Sequence, residues 1–179
     1  MRHDNIRDYT SNLLKSVGQD VETEPKLHIV ENKERYQRSA ITSDDARLDI
    51  RARGFWRSGQ NAFFDVRVTN TDCSSQRNMT LKSILRKHEL EKKRCYNRRV
   101  MEVENGSLTP LIFTTTGVMG HECATFYKSL AEKISLKQDE RYSEVVRFLR
   151  IKLSHMALKS TLTMSAWIKG PCYYQSHNQ

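Results

Sequence analysis

The chain has 179 residues, 37% hydrophobic and 28% charged, with 30 Lys and Arg against 21 Asp and Glu. That length and apolar fraction fill one core and crowd two, and no apolar run approaches the roughly 20 residues that cross a bilayer. The net charge of +9 and a pI near 9.5 make a polyanion the leading partner, because Lys and Arg neutralise phosphates and release condensed counterions. The N-terminal MRHDNIRDYT carries no apolar signal region, so the sequence reads as soluble, unsecreted and intracellular. Cys73, Cys95, Cys123 and Cys172 stand far apart, with no C-x-x-C and no His/Cys pair at zinc spacing, which argues against a disulfide framework and a zinc knuckle.

Ile6, Tyr9, Leu13, Leu14 and Val17 recur at helical spacing and predict an amphipathic helix over about 5–17, stopped by Gly18. The stretch 20–30 ends in a short apolar run, and Pro25 restricts it to an edge strand or a bent one. Residues 33–45 are polar and read as a loop. From Ala46 the pattern alternates, with Leu48, Ile50 and Ala52 on one face and Asp49, Arg51 and Arg53 on the other, which predicts a strand. After the turn residues Gly54 and Gly59, Ala62, Phe64, Val66 and Val68 alternate with Phe63, Asp65, Arg67 and Thr69, so the two strands form a hairpin.

The polar stretch 70–78 leads into a long helix over about 80–104, with Leu81, Ile84, Leu85, His88, Tyr96, Val100 and Val103 near one stripe and Asn105-Gly106 as its stop. A strand over 108–116 and helices over about 122–136 and 140–162 follow. The order α-β-β-β-α-β-α-α predicts an α/β fold in which a small mixed sheet is flanked by helices. As a single domain it divides into a core of about 5–137, a C-terminal helical extension of about 138–165 and a flexible tail of 166–179. No internal repeat and no glycine-rich phosphate loop interrupts this order.

The period of two brings Asp49 on one strand toward Asp65 and Arg67 on the next. Paired carboxylates on adjacent strands are what Mg2+ or Mn2+ needs for phosphodiester chemistry, since Mg2+ takes hard oxygen ligands and keeps several waters. Asp49 and, sixteen residues later, Asp65-Val66-Arg67, in this order of elements, resemble the PD-(D/E)XK restriction-like nuclease fold. The segments RHDNIRD, ARLDIRARGFW, GQNAFFDVRV and EKKRCYNRRVMEVENGSLTPLIFTTTG resemble the C-terminal endonuclease region of reverse-transcriptase-like mobile-element proteins of animal genomes.

The resemblance covers most of the chain and implies a metal-dependent DNA endonuclease with a restriction-endonuclease-like αβββαβ core. It also implies nicking that exposes a 3′ hydroxyl for primed reverse transcription, an upstream reverse transcriptase, and a nuclear site of action. Asp49 and Asp65 would hold the metal, with Glu24 as an outside candidate from the first strand. The match departs from the pattern at Leu48, where Pro is usual, and at Arg67, where the family has Lys. Arginine stays protonated, so Arg67 can hold phosphate but cannot take a proton.

A lysine on the following helix can replace the strand lysine, and Lys92 or Lys93 is placed for that. Lys92 and Tyr96 share a helical face, resembling the Q-x-x-x-Y helix of exonuclease-like members with Lys in place of Gln. Candidate DNA contacts are Arg51, Arg53 and Arg57, with Trp56 in the hairpin turn as a stacking residue, and Arg147 and Arg150 on the last helix. His3 and Asp4 can reach the metal edge from the first helix, although residues there serve more often as caps or surface groups. Two other readings stand beside the nuclease: a catalytically silent nucleic-acid-binding module, favoured by Arg67, and a degenerate retroelement relic.

Overall fold

Strand alternation and helical stripes convert into a four-stranded mixed sheet with four helices in the computed structural model, which describes residues 2–31, 33–71 and 79–168. The elements run α1 (Arg2–Val17), β1 (Gln19–Thr23), a single 3-10 turn (Lys33–Arg35), β2 (Ile50–Arg53), β3 (Asn61–Thr69), α2 (Leu81–Glu102), β4 (Gly106–Thr114), α3 (His121–Gln138) and α4 (Tyr142–Ile168). Apart from the 3-10 turn, this is the expected order. The sheet order is β1-β2-β3-β4, with antiparallel pairing up to β3 and β4 parallel to β3 through the crossover helix α2.

Both faces of β3 are covered, each by different partners. Ala62, Phe64 and Val66 join Ile50, Ala52, Leu111 and Phe113 against Ile6 and Leu14 of α1, Phe126 and Leu130 of α3, and Leu149 and Leu153 of α4. On the opposite face Phe63 meets Leu108, Val100 of α2, and Leu27, Ala46 and Leu48 from the chain that leads into β2. Helix α2 begins at a Thr80 cap, whose hydroxyl accepts the Ser83 amide at 3.2 Å. It ends just before Asn105, which adopts the left-handed conformation at φ 48° as the Asn-Gly signal requires. β1 lies at the sheet edge as expected but covers only Gln19–Thr23, Glu24 turns the chain at φ 55°, and the apolar run 27–30 expected to end this strand lies outside it.

The boundaries of β2 and α4 differ from expectation. The strand expected from Ala46 begins only at Ile50. Leu48 packs under α2 beside Phe63 whereas Ile50 faces the other core, so the alternation breaks at Asp49. The cause is the docking of the preceding segment, held by the Lys26–Arg47 bridge and by bonds from Leu27 N to Ala46 O and from Leu48 N to Pro25 O. Helix α4 runs to Ile168, beyond the expected 162 and into the segment read as a tail. The remainder of that tail, 169–179, and residues 72–78 of the polar stretch lie outside the described residues.

The loop before β2 is fastened by a buried cation. Arg99 is 1% exposed and donates from Nη1 to Ile41 O (3.0 Å) and Ser43 O (2.9 Å), and from Nη2 to His28 O (2.6 Å). Buried Glu104 accepts the His28 amide at 2.6 Å and its ring Nδ1 at 2.7 Å. A second buried carboxylate, Glu89, accepts the Glu122 amide at 3.0 Å at the start of α3, and it requires Gly120, where a Cβ would stand 2.5 Å from Oε1. Replacing Arg99 by Met leaves three carbonyls without their donor and should cost about 3 kcal/mol in urea unfolding. A loss below about 1 kcal/mol would mean that apolar contacts alone hold the loop.

Candidate functional site

The late start of β2 creates the site. Its first pair with β3 is Ile50 with Phe64, so the Val66 amide beyond it has no strand carbonyl to meet. The Asp49 side chain fills the gap, with Oδ2 accepting the Val66 N–H at 2.6 Å. The same oxygen takes His3 Nε2 at 2.8 Å, and His3 Nδ1 lies 3.4 Å from Asp4 Oδ1. The hydrogen bond to Asp49 holds the His3 pKa above its ordinary value of 6.5.

Asp65 lies on the α2 face of β3, 5% exposed. Lys92 Nζ stands 2.6 Å from Oδ2, yet that buried oxygen accepts no well-aligned hydrogen bond. Burial pushes the Asp65 carboxyl above the usual Asp range; the charge of Asp49 pushes it further, while Lys92 and His3 pull it back. The two aspartates therefore share one electrostatic environment, reached by Lys92 from α2 and by His3 from α1. Tyr96, one turn beyond Lys92, is pushed up to about 12, first by burial and then by Asp65, Cys95 and Asp49. Its hydroxyl stays protonated, and its ring centroid lies 5.8 Å from Lys92 Nζ.

Helix phase separates the two candidate lysines. Lys93 turns away from Asp65 and pairs with Glu122 Oε1 of α3 at 2.8 Å. Arg67 pairs with Glu91 Oε2 at 3.0 Å, one step along β3 from Asp65 on the same face. Glu24 donates its backbone N–H to Asp49 O at 2.8 Å, while its carboxylate is held by Arg7 of α1, which also binds Asp8 at 2.8 Å. Arg51 and Arg53 are engaged with β1, at 2.8 Å from Glu22 and 3.8 Å from Asp20. Trp56 donates from Nε1 to Thr109 Oγ1 at 3.0 Å and sets its ring edge-on to Phe55, so its indole is packed down on the sheet. Arg57, Arg147 and Arg150 are exposed.

Of the residues expected to meet, the structure brings together Asp49, Asp65, Lys92 and Tyr96. His3, read in the sequence as able to reach this edge but more often a cap or surface group, joins them through Asp49. Among the described residues no group of three or more His, Cys, Asp or Glu is placed to hold a metal ion. The protein ligands on offer are therefore the two carboxylates, one with a buried oxygen that lacks an aligned donor, a set that fits only an ion such as Mg2+ or Mn2+ that binds through one or two carboxylates and keeps its waters. In comparisons with known proteins, no family model matches the chain and no curated protein matches it. No helix among the described residues is long and apolar enough to cross a membrane.

The raised Asp65 pKa gives a pH test in the presence of chelator. A carboxyl whose folded pKa lies above the ordinary value of 3.8 contributes stability while protonated and loses it as pH rises through the folded value. Asp65→Asn stays neutral throughout, so its melting temperature should climb relative to wild type as pH rises from 3.8 toward neutrality. An Asn variant that loses ground as pH rises would show that the ion pair with Lys92 outweighs burial.

Proposed function

We propose that the chain is a divalent-metal-dependent DNA endonuclease of the restriction-like type. The observation that carries the proposal is the convergence of Asp49, Asp65 and Lys92, with Nζ 2.6 Å from the buried carboxylate. The α-β-β-β-α-β order with β4 parallel to β3 supports the PD-(D/E)XK reading of the core. Asp49 and Asp65 would hold Mg2+ or Mn2+, which when bound supplies Lewis-acid stabilisation of the charge that develops on the scissile phosphate. The protein's own groups bind and orient around that point.

Lys92 sets a positive charge beside Asp65, where the strand lysine of the family would act, and steadies the attacking water and the phosphate. Tyr96, held protonated, can offer a hydrogen bond to a phosphate oxygen but cannot remove a proton. Arg67 remains a phosphate-holding group, and its guanidinium must exchange Glu91 for substrate to serve there. The exposed Arg57, Arg147 and Arg150 supply nonspecific attraction for the DNA backbone. The mobile-element resemblance extends the proposal to nicking in the nucleus beside a reverse transcriptase.

A second reading, a silent nucleic-acid-binding module, draws on the ion pairs that already occupy Arg67 and Lys92. The test is nicking of supercoiled plasmid with Mg2+, with Mn2+ and with chelator. Nicking should require metal, and Asp49→Ala or Asp65→Ala should lower it at least about 100-fold. Lys92→Met should lower it by about the same factor, while Lys93→Met stays within about 3-fold because Lys93 engages Glu122. Tight, salt-sensitive DNA binding with no nicking in any metal would establish the silent module instead.

A further inference from the structure

Asp49 is gripped at one oxygen from two directions. The Val66 N–H reaches Oδ2 at 2.6 Å along the open edge of β3, and His3 Nε2 reaches it at 2.8 Å from the first turn of α1. Among the described residues both bonds fall on Oδ2, so neither engages Oδ1. The histidine is itself well anchored. Nδ1 faces Asp4, and α1 is fixed to the core by the fully buried Ile6 and Leu14 and by a 2.6 Å bond between the hydroxyls of Thr10 and Tyr127. Because a carboxylate only accepts, Nε2 carries the proton in this contact. The bond ties the first turn of α1 to the rotamer of a carboxylate 46 residues downstream.

We propose that His3 is a positioning residue of the cation site, fixing the Asp49 carboxylate through Oδ2 so that Oδ1 stays available to a cation shared with Asp65. This inference rests on the reading of Asp49 and Asp65 as metal-holding residues. Groups that hydrogen-bond a metal ligand orient it, and their loss typically lowers metal affinity by about 10- to 100-fold. Glutamine at position 3 retains an N–H donor on a side chain of similar reach, whereas alanine retains none.

The experiment is titration of the purified protein with Mn2+, reading free Mn2+ by electron paramagnetic resonance without DNA, alongside the melting temperature of each variant. His3→Ala should weaken Mn2+ binding about 10-fold or more, and His3→Gln should keep it within about 3-fold of wild type. Asp49→Ala should remove the same class of site. Thr10→Val, which cuts a different attachment of α1, should lower the melting temperature and leave the Mn2+ affinity unchanged, separating positioning from general loosening of the helix. Wild-type affinity in His3→Ala, or an equal loss in His3→Gln and His3→Ala, overturns the inference alone. A wild-type protein that binds no Mn2+ overturns both the inference and the metal site beneath it. His3-dependent Mn2+ binding in a protein that never nicks DNA upholds the inference and rejects the nuclease.

Discussion

A carboxylate buried in the middle of the central strand is the constraint around which the other elements are arranged. Asp65 sits between neighbours that fill apolar cores, and taking its charge out of water is unfavourable unless opposite charge or a cation meets it. Lys92 reaches it from α2, while Asp49 adds a second negative charge just before β2 begins. A chain that needed only to fold would place an apolar residue at this position, like Phe63 two residues earlier. Retaining two mutually repelling acids beside a lysine is the kind of conflict that marks functional sites.

The supports of this arrangement lie at some distance from it. Arg99, buried on α2, binds three carbonyls of the segment before β2 and so determines where that segment leaves the sheet. That docking pulls Leu48 under α2 and shortens β2 to four residues, and the shortening frees the edge of β3 that Asp49 fills. Helix α1 closes the other side, so the site is assembled from four segments, α1, the entry to β2, β3 and α2, that meet only in the folded chain. The positive charge divides in a related way. Arg51, Arg53 and Arg67 are held in ion pairs at the sheet, whereas Arg57, Arg147 and Arg150 are exposed to solvent.

Much of the fold was legible because its signals are local. The period of two held through β3 and put Asp65 and Arg67 on one face, and the stripe through Ile84, Leu85, His88 and Val100 did mark the buried side of α2. The element order could be read from turn residues, from Pro25 and from Asn105-Gly106. The break at Asp49 was not legible, because it depends on a loop held by Arg99, which in sequence is one more cation in a charged run. Lys92 and Lys93 differ only in helix phase, about 100° apart, and a neighbour on another helix, Glu122, separates them. His3 had no partner visible within its own segment. The core pattern predicted architecture well, whereas side-chain partners across 46 residues of chain required the fold.

The most direct test of a shared cation site at Asp49 and Asp65 is a carbon-13 NMR titration of the Asp65 carboxyl with and without Mg2+, assigned through Asp65→Asn. Without metal the carboxyl should titrate above the ordinary 3.8, and Mg2+ should draw its midpoint down, since a bound cation favours the ionised form. Asp49→Ala should remove most of that metal-dependent displacement. An Asp65 midpoint unmoved by millimolar Mg2+ would contradict the account and leave the buried acid as a structural partner of Lys92.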